Sequence, residues 1–136
     1  MRITPEKITS LPDTFIFVFG SNMIGRHGKG AAKIARELFG AEEQLASGLA
    51  GRSYAIPTKD KWMNTLSVHQ IGNFVTPFIG FAERIRPELN FYVTKIGCGL
   101  AGYKPEQIAP LFVKAIKVEN IYLPESFWKV LYDSKA

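Results

Sequence analysis

The chain has 136 residues, of which 46% are hydrophobic and 21% are charged, with a formal net charge of +5. This composition is typical of one globular domain, which we assign to residues 1–136, and no apolar run approaches the ~20 residues of a membrane helix. Residues 1–12 lack the apolar stretch of a secretory signal and Cys98 is the single cysteine, so we expect a cytoplasmic protein without disulfides or membrane contact.

Four short apolar runs rich in β-branched and aromatic residues predict β-strands. They are FIFVF (15–19), SYAIP (53–57), FYVTKI (91–96) and NIYLP (120–124). The first run is apolar at every position, as a strand covered on both faces should be. Because helical patterns alternate with these strands, we predict an α/β fold, a three-layer α/β/α sandwich with a mainly parallel central sheet.

The loop after the first strand, GSNMIGRHGKGAAK (20–33), contains four glycines and leads directly into a helix predicted over residues 31–39. Glycines let the backbone approach a ligand and expose N–H groups, and a helix start adds partial positive charge. Both features suit a phosphate, although a flexible turn is the alternative, and Arg26 and His27 depart from the Walker pattern. Its candidate ligand-binding residues are Gly20, Ser21, Asn22, Gly25, Arg26, His27, Gly28 and Gly30.

The loop after the second strand is TKD, and a long helix follows it. This loop contributes Thr58, Lys59 and Asp60 as polar candidates, with a solvated turn as the alternative. Ser67 with Gln70 predicts a capping box that opens the helix, and Pro77 is expected to kink or divide it.

The loop after the third strand, GCGLAGY (97–103), carries the G-x-G-x-x-G spacing of a dinucleotide-binding turn. In a Rossmann protein a helix begins within these glycines and several strands follow. Here Pro105 disfavours helical geometry at Lys104 and only one strand remains, so we expect no NAD-type cofactor. Its candidate ligand-binding residues are Gly97, Cys98, Gly99, Leu100, Ala101, Gly102 and Tyr103. We call residues 20–30 and 97–103 the first and second glycine loops.

Two helices are predicted after the second glycine loop. An apolar stripe over residues 105–118 predicts one whose regular part begins near Pro110, and PESFWKVLY (124–132) predicts a short closing helix.

Cys98 is either a nucleophile activated by His27 or His69, or a small thiol packed in a tight loop, which is the simpler interpretation. One Cys and two His without ligand spacing predict no metal site.

With these loops in order, the chain resembles the macro domain family of ADP-ribose-binding modules over roughly residues 15–124. FGSNMIGRHGKGAAKIA is similar to the family's first ligand loop, and IGCGLAGYKPEQIAPLF is similar to the second, which wraps the diphosphate and distal ribose. I-G-C-G-L and the Thr-Lys pair at 58–59 are closest to the branch of terminal ADP-ribose protein glycohydrolase and of the macro domains that reverse DNA ADP-ribosylation. The chain is similar to small stand-alone members from bacteria and phages.

The resemblance implies roles position by position. Asn22 matches the ribose-side Asn, Lys59 matches the lysine that attacks or stabilises the anomeric carbon C1″, and residues 97–103 match the phosphate loop. The protein-glycohydrolase members carry an acid directly after G-C-G-L, where this chain has Ala101, which leaves Asp60 as a substitute acid. The macro fold usually has about six strands, whereas four are clear in this sequence, so the chain looks like a trimmed member of the family. The resemblance also implies that FIFVF and FYVTKI are neighbours.

Three functions remain open at this point. The first is binding of ADP-ribose or a derivative at the C-terminal edge of the sheet, with hydrolysis of an ADP-ribosylated protein or nucleic acid at C1″ as an unsettled addition. The second is a binding module without turnover, which Ala101 favours. The third is a basic nucleic-acid-binding accessory protein, suggested by the pI of about 9.4 and Trp62, although its Lys and Arg residues are scattered. Whether the protein is an enzyme, and its oligomeric state, are not indicated.

Overall fold

The computed structural model describes residues 1–133 and contains five strands. They are β1 (Phe15–Asn22), β2 (Gly48–Ala50), β3 (Ser53–Lys59), β4 (Asn90–Val93) and β5 (Ile121–Tyr122). One sheet has the order β2-β3-β1-β4-β5, and every neighbouring pair is parallel except β2 with β3. The predicted α/β class with a mainly parallel sheet is therefore confirmed, as is the pairing of FIFVF with FYVTKI.

The helices cover both faces of this sheet. They are α1 (Gly30–Leu38), α2 (Val68–Arg84), α3 (Pro105–Ile108), a 3-10 helix (Ala109–Lys117) and α4 (Glu125–Asp133). α1 packs on one face, and the other helices contribute to the core on the opposite face, which gives three layers. Within residues 1–133, no helix combines the length and the apolar character required to cross a bilayer.

β1 is the central strand and is buried on both faces, as its apolar sequence predicted. Ile16 and Val18 join the larger core beneath α2, whereas Phe17 and Phe19 join the smaller core beneath α1. This alternation follows from the two-residue period of a strand. Because both cores hold β1, its C-terminal end is a fixed platform for the loop that follows.

The capping box of α2 is present as predicted. The Gln70 N–H donates to Ser67 Oγ at 3.1 Å, and the Ser67 N–H donates to Gln70 Oε1 at 2.8 Å. Pro77 does not divide α2, which runs unbroken past it. Pro77 has no N–H to donate to the Asn73 carbonyl. Because both residues are exposed, water can hydrate that carbonyl instead.

The helix after the second glycine loop differs from its prediction. It begins at Pro105, whose fixed φ suits a first helical position, and not after Pro110. From Ala109 the chain tightens into the 3-10 helix, and Pro110 lies at the start of that segment, where it has no N–H to donate.

The N-terminal segment is bound to the β5 edge of the molecule. Ile3 forms a parallel bridge with Leu123, and the Trp128 indole N–H donates to the Arg2 carbonyl at 2.8 Å. The Arg2 guanidinium lies 5.5 Å from the centre of the Trp128 ring. Trp128, on α4, is consequently buried against this segment.

Candidate functional site

A cleft of about 730 Å³ opens at the carboxyl ends of β1, β3 and β4, the position at which parallel sheets usually bind ligands. Because β1 lies between the other two strands, the two glycine loops lie side by side along its walls. The residues that line it are Gly20, Ser21, Asn22, Arg26, Gly28, Lys29, Gly30, Ala31, Ala32, Thr58, Lys59, Met63, Thr94, Lys95, Ile96, Gly97, Cys98, Gly99, Leu100 and Ala101.

Most of the candidate residues from the sequence thus come together, and some lie elsewhere. The candidates outside the lining are Gly25, His27, Asp60, Gly102 and Tyr103. The lining residues that were not among the candidates are Lys29, Ala31, Ala32, Met63, Thr94, Lys95 and Ile96. Most of the latter directly flank a candidate loop, so a wider window around each strand end would have found them.

Asn22 is buried at the end of β1, and its side chain closes the first glycine loop. Nδ2 donates to the Arg26 carbonyl at 2.7 Å, and Oδ1 accepts from the Arg26 N–H at 3.0 Å. An amide side chain has two N–H donors and two oxygen lone pairs. Asn22 therefore shapes the loop while keeping one hydrogen and one lone pair for a hydroxyl group in the cleft.

Gly25 lies on the side of the first glycine loop that packs against the segment after α1. Its φ is +77°, and a Cβ built there would lie 2.4 Å from the Gln44 carbonyl carbon. The Gln44 N–H donates to the Gly25 carbonyl at 2.7 Å. Gly25 is thus required for close backbone packing, which explains why it does not face the cleft.

His27 is fully buried on the α1 side of the sheet. Its Nε2 donates to the Glu42 carbonyl at 2.8 Å, and its ring meets Phe19 edge-on at a centroid distance of 5.2 Å. Among residues 1–133, Nδ1 has no hydrogen-bond partner. His27 therefore anchors the loop from behind and places no ring atom in the cleft.

α1 begins inside the cleft without a cap. Its N-cap residue is Lys29, whose side chain makes no capping bond, and no acidic residue occupies the first turn. The N–H groups of Gly30, Ala31 and Ala32 have no acceptor within the described part of the chain. An uncapped helix start of this kind attracts anions through its free N–H groups and its dipole.

The second glycine loop faces this helix start. Gly97 has φ +76°, and its carbonyl accepts from the Tyr103 N–H at 2.8 Å, which closes the loop at its base. The N–H groups of its tip residues, Gly99, Leu100 and Ala101, find no acceptor in residues 1–133. A Cβ on Gly30 would lie 3.7 Å from Leu100 Cδ1, so the two loops meet across the cleft.

The charges that line the cleft are all positive. Arg26, Lys29, Lys59 and Lys95 line it, and the lining includes no acidic residue. Of these four cations, only Lys95 forms an ion pair within residues 1–133, with the exposed Glu6 at 3.4 Å. A concave surface with charge of one sign concentrates ligands of the opposite sign. Residues 1–133 contain no group of three His, Cys, Asp or Glu side chains that could hold a metal ion.

Asp60 is not placed to act on a ligand in the cleft. Its Oδ1 accepts from the Trp62 and Asn64 N–H groups, each at 2.9 Å, and so holds its own loop in shape. It does not line the cleft, so it does not replace the acid that the resemblance places at position 101. This loop leaves Trp62 exposed, with Lys61 Nζ 4.7 Å from the centre of its ring.

Cys98 lines the cleft as a neutral thiol. Burial, with a smaller contribution from Glu106, raises the pKa of Cys98 to about 11, and Lys95 opposes the shift. Since the thiolate is the nucleophilic form, the packing interpretation of Cys98 is favoured over the catalytic one. His27, one of the two proposed activating bases, is buried on the α1 side of the sheet.

We expect the alkylation of Cys98 by iodoacetamide to be slow at pH 7 and to keep accelerating up to pH 11. A raised pKa means that the neutral thiol persists above pH 9, where a free cysteine is already mostly thiolate. The pH dependence of the alkylation rate, followed by mass spectrometry with glutathione as the reference thiol, measures this. A rate that levels off below pH 9 would contradict the assignment.

Comparison with known proteins assigns no function, so the function is inferred from the chemistry of the cleft. No protein-family model matches the chain, and neither a curated protein nor a solved structure matches it. The cleft offers free backbone N–H groups from the uncapped start of α1 and from the second glycine loop. It also offers several cations, Lys59 at the end of β3 among them, and the Asn22 amide at the end of β1. Such an arrangement is suited to a phosphate-bearing ligand with hydroxyl groups.

Proposed function

We propose that the protein binds ADP-ribose, or a closely related nucleotide, in the cleft between the two glycine loops. The observation that carries this proposal is the apposition of unpaired N–H groups from both loops across a cleft lined by cations and by no carboxylate. A diphosphate satisfies several N–H donors at once and favours the positive end of α1. The resemblance to macro domains, carried by the same two loops, supports ADP-ribose as the nucleotide.

The size and polarity of the cleft are consistent with a whole nucleotide. Its volume of about 730 Å³ lies within the range of roughly 300–1,000 Å³ that small-molecule sites occupy. Met63 and Leu100, which are both exposed, provide apolar surface for sugar carbons and the base, whereas Asn22 keeps hydrogen-bonding capacity for a ribose hydroxyl. We infer that the diphosphate lies between the loop tips and that the distal ribose lies towards Asn22.

Hydrolysis of an ADP-ribosyl conjugate is the second candidate function. It is favoured by one observation: Asn22 and Lys59 are register partners across β1 and β3, so both reach the same end of the cleft. In that reaction the neutral Lys59 amine would attack C1″, the bond to the conjugate would break, and water would later release the ribose. The departing group needs a proton, and no carboxylate lines the cleft to supply one. Binding without rapid turnover is therefore the function that the geometry supports best.

Isothermal titration of the protein with ADP-ribose tests this proposal. We expect a Kd on the order of micromolar, with competition by ADP-ribose 1″-phosphate, because both ligands carry the diphosphate. Lys59→Ala should weaken binding severalfold, whereas Lys61→Ala, which removes a neighbouring lysine outside the cleft lining, should not. The absence of both a binding isotherm and a thermal shift with ADP-ribose, NAD and ADP-ribose 1″-phosphate would contradict the proposal.

Incubation with ADP-ribosylated protein and with ADP-ribosylated DNA separates the two candidate functions. We expect the wild-type protein to leave both conjugates intact over hours. Release of ADP-ribose by the wild type, and not by Lys59→Ala, would establish hydrolysis in place of simple binding. We place this function in the cytoplasm, where a lone thiol such as Cys98 stays reduced.

A further inference from the structure

We propose that Thr65 is a positioning residue that holds the tip of the second glycine loop at a fixed distance from the end of β3. The Thr65 hydroxyl donates to the Ala101 carbonyl at 3.0 Å. Ala101 contributes one of the free N–H groups of the cleft, and the same peptide segment therefore carries both the anchored carbonyl and the groups offered to a ligand. The consequence for ligand affinity rests on the proposed function; the contact itself does not.

Thr65 is itself attached to the site residues of β3. It forms an antiparallel bridge with Lys59, and the next residue, Leu66, donates its N–H to the Thr58 carbonyl at 2.9 Å. The Thr65 side chain thus connects the second glycine loop to the strand end that carries Lys59. A change in this contact would move the free N–H groups relative to the lysine.

The tip of the second glycine loop has few other constraints. Its base is fixed by Tyr103, whose hydroxyl donates to the Leu66 carbonyl at 2.6 Å. At Gly99 and Gly102, a built Cβ would meet nothing within 4 Å, which means that the tip packs against no neighbour there. Within residues 1–133, the Thr65 hydroxyl makes the one hydrogen bond that joins residues 98–102 to β3 or to the segment after it.

Preorganisation is the reason that such a contact matters for binding. A loop that must be ordered by its ligand loses part of the binding free energy to the lost conformational freedom. A loop that is already held with its N–H groups facing the cleft does not lose binding free energy in this way. Thr65 is exposed, so removing its hydroxyl should alter the loop without a comparable loss of overall stability.

The test compares Thr65→Val, which removes the hydroxyl at nearly constant volume, with Thr65→Ser, which keeps it. Thr76→Val, at an exposed position of α2 far from the cleft, is the matched control. Two readouts are measured on each full-length variant: the Kd for ADP-ribose by calorimetry and the backbone order parameters of the Leu100 and Ala101 amides by NMR relaxation. For Thr65→Val we expect a Kd about five to ten times higher and lower order parameters at both amides, with an unchanged Tm. Thr65→Ser and Thr76→Val should match the wild type in both readouts.

The outcomes separate this inference from the proposed function. If the wild type binds ADP-ribose and Thr65→Val binds it equally well, Thr65 has no positioning role, although the proposed function stands. Equal losses in Thr65→Val and Thr65→Ser would likewise overturn the role of the hydroxyl. If the wild type does not bind ADP-ribose, the proposed function fails, and the order parameters alone decide: unchanged order parameters at Leu100 and Ala101 in Thr65→Val would then reject the contact.

Discussion

Gly25→Ala is expected to lower the free energy of unfolding by about 3 kcal/mol or more and to remove ligand binding. The added methyl group would lie 2.4–2.6 Å from the backbone of Gln44 and Leu45, distances that require one chain segment to move. The φ of +77° adds strain, because a residue with a Cβ rarely adopts it. Overpacking of this kind typically costs 1–3 kcal/mol before the backbone strain is added.

Gly28→Ala, in the same loop, provides the control for this result. A Cβ at Gly28 would meet nothing within 4 Å, and its φ lies outside the positive region, so we expect a change below about 0.5 kcal/mol. Urea unfolding followed by circular dichroism measures both variants. If Gly25→Ala proved as stable as Gly28→Ala, the close packing of the first glycine loop on residues 44–45 would be wrong.

Ala31→Asp is expected to raise the Kd for ADP-ribose by about thirtyfold while leaving the protein folded. Ala31 lies in the first turn of α1 and lines the cleft, so a carboxylate there opposes an anionic ligand. Two charges about 6–8 Å apart at an effective dielectric near 20 repel by roughly 2 kcal/mol, which corresponds to that factor. The same carboxylate interacts favourably with the α1 dipole and stabilises an exposed helix by about 0.3–1 kcal/mol.

Ala31→Asn separates charge from shape in this experiment. The amide has nearly the size of the carboxylate but no charge, and we expect it to raise the Kd only a few times. Calorimetry gives the affinities, and the Tm of each variant shows that the fold is retained. Equal affinity of Ala31→Asp and the wild type would show that the phosphates bind away from the start of α1.

The sequence predicted the strands well where the apolar runs are continuous and less well where they end. FYVTKI was expected to be extended over residues 91–96, but β4 ends at Val93. There the Thr94 hydroxyl donates to the Val18 carbonyl at 2.8 Å, and the Ile96 N–H donates to the Thr94 carbonyl, which turns the chain into the cleft. These bonds depend on the neighbouring strand, so a single run of residues does not reveal them.

Other features lacked a local signal. β2 has only three residues and owes its strand geometry to antiparallel pairing with β3. Gly25 and Gly28 look alike in the sequence, yet Gly25 packs against the backbone of residues 44–45 and Gly28 opens to the cleft. Spacing therefore identified the glycine loops, but the packing of residues 42–46 beneath the first loop determined which of its members face a ligand.

The two tryptophans differ in exposure, so intrinsic fluorescence can report on ligand binding and on unfolding separately. Trp62 precedes Met63, which lines the cleft, and has 71% of its surface exposed, whereas Trp128 has 2% exposed. A soluble quencher such as acrylamide will extinguish emission from the first indole and leave most of that from the second. A nucleotide that enters the cleft should shield or quench Trp62 alone, and loss of the fold should redshift Trp128. Binding and unfolding can thus be followed in one sample, without a label, by the wavelength and accessibility of its fluorescence.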